Sequence, residues 1–273
     1  MKDITLGQYF PGDSVIHKLD PRAKLLCVVL YIVMIFVASS VSGVLLALGV
    51  TLFLIIISGI PLKIILRGMK PILFIVIFTT LLNLFLTSGE TLLLELGFIH
   101  IYLEGVCSSV LIVVRIMLLV AGSGLFMTYT TTPIALSDGL ESLLAPLKKI
   151  KLPVHEFSMM LTIALRFIPT IMEETEKIMN AQKARGADFS TGSLVSRAKA
   201  LIPVLIPLFV SAFRRADELA VAMECRCYRG DNGRTRMKVL KYGTSDIIFL
   251  IGGVLLVVGM ILLNTFLPIY SLR

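Results

Sequence analysis

Two tripeptides carry the residues best suited to do chemistry: Ala184-Arg185-Gly186 and Cys225-Arg226-Cys227, with their arginines 41 positions apart. In each, a guanidinium stands between small residues at the end of a long helical pattern. The last carbonyls of a helix are unpaired and carry the negative end of its dipole, which favours a nearby cation. Gly186 suits the left-handed residue that closes a helix. One such ending is an ordinary helix stop. Two of them on consecutive long helices make a docking device, in which small neighbours admit the tip to a groove and the guanidinium forks onto carboxylates of a receptor.

Other chemistry is missing. The chain has no Gly-x4-Gly-Lys-Ser/Thr phosphate loop, so nucleotide hydrolysis is not expected of it. It has no His-Glu-x-x-His and no Gly-x-Ser-x-Gly. His17, His100 and His155 fall in separate segments without ligand spacing. Cys225-x-Cys227 has no histidine nearby, and Cys27 and Cys107 lie in apolar runs, so no metal site is expected. Glu173, Glu174 and Glu176 read as solvated carboxylates on a helical face. The function is therefore coupling and binding rather than catalysis.

The elements that must position the two arginines are long. From Pro153, apolar residues recur at three and four (Phe157, Leu161, Ala164, Ile168, Ile171, Met172, Thr175, Ile178, Met179), opposite Glu173, Glu174, Glu176, Lys177 and Lys183. About 32 residues at 1.5 Å each make a rod of roughly 48 Å. Pro169 is expected to kink or locally break it. After the polar turn Phe189-Ser190-Thr191-Gly192-Ser193, a second helix starts near Leu194 and carries Pro203 and Pro207 inside the uncharged run Ala200 to Phe213, which is too short to span a bilayer. Ahead of both, Thr131-Thr132-Pro133 marks a helix start. A short amphipathic helix, Leu136 to Ile150, follows and lies either on the bilayer or on the long helices.

Composition sets the class. Of the 273 residues, 56% are hydrophobic and 16% charged, with a mean hydropathy of +0.92. That is a polytopic helical membrane protein, all-α. The net charge of +8 does not point to nucleic acid, because 17 of the 26 Lys and Arg lie between Thr131 and Tyr242 beside 11 Asp and Glu. Leu25 to Leu62 is free of charge for 38 residues and holds two spans. Further spans run from Pro71 to about Thr87, from Gly105 to Tyr129, and from Ile247 to Pro268, making five. The acidic segment Gly89 to Glu104 lies between the third and fourth. Arg22, Lys24, a short basic loop (Lys63, Arg67, Lys70) and the block after Thr131 fall on one side, which the positive-inside rule makes cytoplasmic together with the amino terminus. The divisions are 1–130 for four spans, 131–242 for a coupling module of one short and two long helices, and 243–273 for the last span. Arg115, ten residues into the fourth span, contacts either a partner or the carbonyls of neighbouring helices, the second being favoured.

These motifs together resemble the transmembrane T component of energy-coupling factor transporters. The resemblance covers nearly the whole chain. It rests on Gly7-Gln8-Tyr9 with Pro11-Gly12-Asp13-Ser14, on Leu19-Asp20-Pro21-Arg22-Ala23-Lys24, on Thr131-Thr132-Pro133, on Leu165-Arg166-Phe167-Ile168-Pro169-Thr170, and above all on the two arginine signatures. The second signature has cysteines where the family usually has Ala and Gly. The resemblance implies a subunit of a bacterial cell membrane whose Arg185 and Arg226 anchor two ABC-type ATPases, a heterodimer. It implies interchangeable vitamin-binding S components held on the long helices, with Arg115, Pro169, Pro203 and Pro207 as further contacts or structural residues. ATP and Mg belong to the partner ATPases, and this chain binds no cofactor. A dedicated T component for cobalt, nickel or biotin is the nearest alternative. A membrane-embedded lipid enzyme and a permease with its own substrate site are the alternatives of other classes.

Overall fold

The computed structural model describes residues 9–86, 91–96, 99–150, 153–189, 191, 193–230 and 240–266. Gly7, Gln8, Gly89, Glu90, Ser190, Gly192 and Pro268, and residues 231–239 at the end of the expected coupling module, lie outside these. The chain forms two units: Met1–Leu143 with Leu240–Arg273, and Leu144–Val239.

The first unit is built on one central helix. Ser14 caps α1 (Val15–Lys18), and Asp20 caps α2 (Pro21–Val37), its carboxylate accepting from the Arg22 amide at 2.9 Å with Pro21 at the first helical position. Ser39-Ser40 turn the chain, and α3 (Val41–Ser58) returns to a left-handed Gly59, φ +67°. Then come α4 (Leu62–Met69), a 3-10 turn and α5 (Leu73–Leu86). A small antiparallel hairpin, β1 (Leu92–Leu96) and β2 (Ile99–Tyr102), joins α5 to α6 (Leu103–Gly124), which ends in a π turn over Leu125–Tyr129. The short helix is α7 (Pro133–Leu144). The second unit holds α8 (Val154–Ala184) and α9 (Leu194–Cys225), and α10 (Thr244–Phe266) closes the first.

Helix α2 is buried against α10, α6 and α3. Its Tyr31 hydroxyl shares a hydrogen bond with Thr51 Oγ1 at 2.7 Å and donates to the Leu118 carbonyl at 2.8 Å, so the ring's polar end is satisfied inside the apolar core. The ring lies close against Gly122, where a Cβ would come within 2.2 Å of it. Met34, Ile35, Leu125 and Met260 are among the most buried side chains around it.

Among the described residues, five helical stretches are long and apolar enough to cross a membrane: Val41–Ser58, Leu62–Phe85, Leu103–Tyr129, Val195–Cys225 and Thr244–Phe266. The number agrees with the sequence expectation and the set does not. Helix α2 has only 17 residues, because the serine turn stops it. Helix α9 qualifies because its charges gather at its ends, Arg197 and Lys199 before the apolar run and Arg214 and Arg215 after it. The division at 131 also shifts. Helix α7 belongs to the first unit, with Gly139 lying so close to Pro21 that a Cβ would meet the proline at 2.9 Å.

Candidate functional site

The two arginine signatures form the same structure. In α8, the Gly186 amide donates to the Lys183 carbonyl at 2.9 Å and the Ala187 amide to Gln182 at 3.0 Å. In α9, the Cys227 amide donates to Glu224 at 2.8 Å and the Tyr228 amide to Met223 at 3.0 Å. Both are Schellman motifs, and both place the arginine at the C-cap. The left-handed residue is Gly186, φ +90°, in one and Cys227, φ +56°, in the other, and among the described residues Cys227 is the one non-glycine residue with positive φ. That conformation costs a residue with a Cβ roughly 1–2 kcal/mol. The second signature therefore keeps the glycine conformation without the glycine. Ala184, Arg185, Gly186, Cys225, Arg226 and Cys227 are all exposed. Among the described residues, neither guanidinium has an ion pair or hydrogen bond.

Helices α8 and α9 run antiparallel. Gln182 reaches the Pro203 carbonyl at 3.5 Å, and Arg215 binds Glu174 at 2.7 Å. Glu174 was expected to be solvated; instead it forms the charged rivet of the pair, with Arg215 further tied to Ser211 at 3.4 Å. The apolar contact also differs in register from the expected stripe. Ile163, Phe167 and Ile171 of α8 face Ala212, Ala216, Leu219, Ala220 and Met223 of α9 across a groove of about 290 Å³. Small alanines at every fourth position let the rods approach, whereas Phe157 of the expected stripe is 55% exposed. Eleven residues separate Glu174 from Arg185, and eleven separate Arg215 from Arg226. Each tip thus lies about 16 Å along its helix from the rivet, in opposite directions. Pro169, Pro203 and Pro207 are exposed, and both helices continue through them, so the local break expected at Pro169 is absent.

Arg115 makes a contact inside the first unit. Its guanidinium donates to the Ala38 carbonyl at the C-terminal end of α2. Asn264, in the last turn of α10, donates to the neighbouring Val37 carbonyl and accepts from Ser40 Oγ at 2.7 Å. Arg115 lies midway along its helix, yet its guanidinium reaches the end of α2. It satisfies a helix-terminal carbonyl there.

Sequence reasoning missed a buried charged node at the opposite end of α2. Lys24, 2% exposed, donates to the Thr130 carbonyl at 2.7 Å and to the His17 carbonyl at 3.2 Å. Asp246, 4% exposed, accepts from the Asp20 amide at 2.8 Å and the Gly243 amide at 2.7 Å. Burial pulls the Lys24 ammonium down to about 8, with the Asp246 charge opposing that fall. His17 is held between Ser14 Oγ at 2.6 Å and the Phe10 carbonyl at 2.9 Å, and Gly12 leaves room for its ring. Arg22 lies over the Tyr242 ring, 5.5 Å from its centroid. Pro11-Gly12-Asp13-Ser14, Leu19 to Lys24 and the threonines after the π turn thus converge in one place. A Lys at the edge of an apolar run was the only local signal. Among the described residues, no group of three or more His, Cys, Asp or Glu is placed to hold a metal ion.

A multi-span helical membrane unit joined to two antiparallel rods with matched arginine tips defines a membrane subunit built to bind partners. Comparison with known proteins is specific. The family profile described as cobalt transport protein (CbiQ) matches residues 12–238. The energy-coupling factor transporter transmembrane protein EcfT of Ruminiclostridium cellulolyticum is 53% identical over 91% of this chain and 92% of its own. Those of Thermosediminibacter oceani and Clostridium kluyveri are 50% and 52% identical, over 96% and 91% of this chain and 98% and 92% of theirs. The chain belongs to this family of energy-coupling factor transporter transmembrane proteins.

Proposed function

We propose that the chain is the coupling subunit of an ATP-driven importer, transmitting the closure of two ABC-type ATPases to a substrate-binding S component. The observation that supports this best is the pair of matched caps, each offering an exposed guanidinium with no partner among the described residues. A charged tip left unpaired in the subunit fits a carboxylate-lined groove in another protein. The two tips differ at the residue after the arginine, glycine against cysteine, which suits two non-identical ATPases. ATP and Mg act in those ATPases, and the chain itself performs no catalysis. The exposed apolar side chains Leu201, Ile202, Leu205, Ile206, Phe209 and Phe213 supply the surface for the S component, beside Pro203 and Pro207. Interchangeable S components, a bacterial cell membrane, and a cytoplasmic amino terminus and rods complete the reading.

The test is capture of the tagged chain from mildly solubilised native membranes, beside the Arg185→Ala/Arg226→Ala double variant. Wild type should bring two ATPases and small apolar membrane proteins. The variant should insert normally, since an exposed helix-end charge contributes only about 0.3–1 kcal/mol to its own helix. It should lose the ATPases, because an interfacial charge pair carries about 2–5 kcal/mol. Absence of any ATPase with the wild type rejects the proposal. The identity of the co-captured small proteins separates a shared subunit from one dedicated to cobalt, nickel or biotin.

A further inference from the structure

The segment from Lys63, expected to be a loop, forms α4, an amphipathic helix with three distinct faces, and Lys70 follows it at the start of the 3-10 turn. Ile65, 2% exposed, points into the core and pins the helix against α6. Lys63, Arg67 and Lys70 recur at i, i+4 and i+7, which places them within an arc of about 60°. All three are exposed, and none has a side-chain ion pair or hydrogen bond among the described residues. Directly beside that arc, Leu62 and Leu66 are 52% and 57% exposed.

Connectivity says what this surface meets. Helix α3, itself long and apolar enough to cross a bilayer, delivers the chain to Gly59, and α4 opens the next such stretch, Leu62–Phe85, so its basic residues stand at one end of a candidate span. It leaves α3 at the end remote from the α2–α3 turn. A short helix held there sits at the bilayer boundary, where leucines sink among acyl chains and adjacent cations reach the phosphates. We propose that α4 is a binding site for anionic phospholipid, with Lys63, Arg67 and Lys70 holding the headgroup phosphate and Leu62 and Leu66 lying on the acyl chains. Charge complementarity selects anionic over zwitterionic lipid, and the flanking leucines select a membrane lipid over a soluble phosphate. The site is independent of the arginine tips and of the ATPases.

The test is titration of the delipidated full-length chain in neutral detergent with phosphatidylglycerol or phosphatidylcholine, followed by native mass spectrometry. Phosphatidylglycerol should bind more tightly. Lys63→Gln and Lys70→Gln should each weaken it about fivefold, the factor expected for one cation at an anionic surface. The triple Lys63→Gln/Arg67→Gln/Lys70→Gln variant should abolish the preference. Charge-preserving Lys63→Arg/Arg67→Lys/Lys70→Arg should keep it, as should Lys177→Gln/Lys183→Gln, which removes two charges from the second unit. Inorganic phosphate at millimolar concentration should not compete. Unchanged phosphatidylglycerol affinity in the single variants overturns the proposal. So does loss of captured ATPases in the triple variant with lipid preference intact, which would make α4 a protein-binding face.

Discussion

The node around Lys24 and the tips of α8 and α9 treat charge in opposite ways. At the node, a buried ammonium and a buried carboxylate spend their hydrogen bonds on backbone groups, most of them in other segments, closing the end of α2. At the tips, two guanidiniums are exposed and find no partner among the described residues. The first arrangement holds the fold and the second holds something else. Damage to each should therefore appear in different measurements.

The largest expected effect is on the node. Asp246→Ala strands the buried Asp20 amide, frees the Gly243 amide and leaves Lys24 without its counter-charge, a loss of about 3–5 kcal/mol. Thermal unfolding in detergent should show it, while ATPase capture per folded molecule stays at the wild-type level. Loss of capture without loss of stability would erase the distinction between the regions. The pH dependence sharpens it. Lys24 binds its proton more weakly when folded, so stability is lowest below about pH 8 and rises as pH climbs from about 8 towards 10.5. Lys24→Met should flatten that rise of a few degrees in Tm.

The tips should respond more gently and with opposite signs. Gly186→Ala forces a Cβ into the left-handed region at about 1–2 kcal/mol, whereas Cys227→Gly should stabilise its cap by about 1 kcal/mol. Equal effects from both would mean that the two caps are not equivalent. The smallest change belongs to the rivet. A double-mutant cycle on Glu174→Gln and Arg215→Gln should return about 0.5–1 kcal/mol, since both side chains are partly exposed.

The difference also explains what could be read from the sequence. Helix caps are local, so Arg185-Gly186 announced its geometry within a few residues, and Arg226 followed by analogy even with Cys227 in the glycine position. The number of apolar stretches was legible for the same reason. The node was not, because Asp20 and Asp246 lie 226 positions apart and each looks like an ordinary polar flank of an apolar run. The contact face of α8 was misread by one position because Glu174 faces its partner instead of water. The basic segment at Lys63 looked like a loop because eight residues are too few to establish periodicity.

The equal spacing of both tips from the Glu174–Arg215 pair gives α8 and α9 arms of the same length. In the proposed coupling, equal pushes at Arg185 and Arg226 would act at equal distances from that pair. A lengthened arm would unbalance the torque. Inserting one helical turn between Arg215 and Arg226 would leave every cap and the rivet intact while making the two strokes unequal.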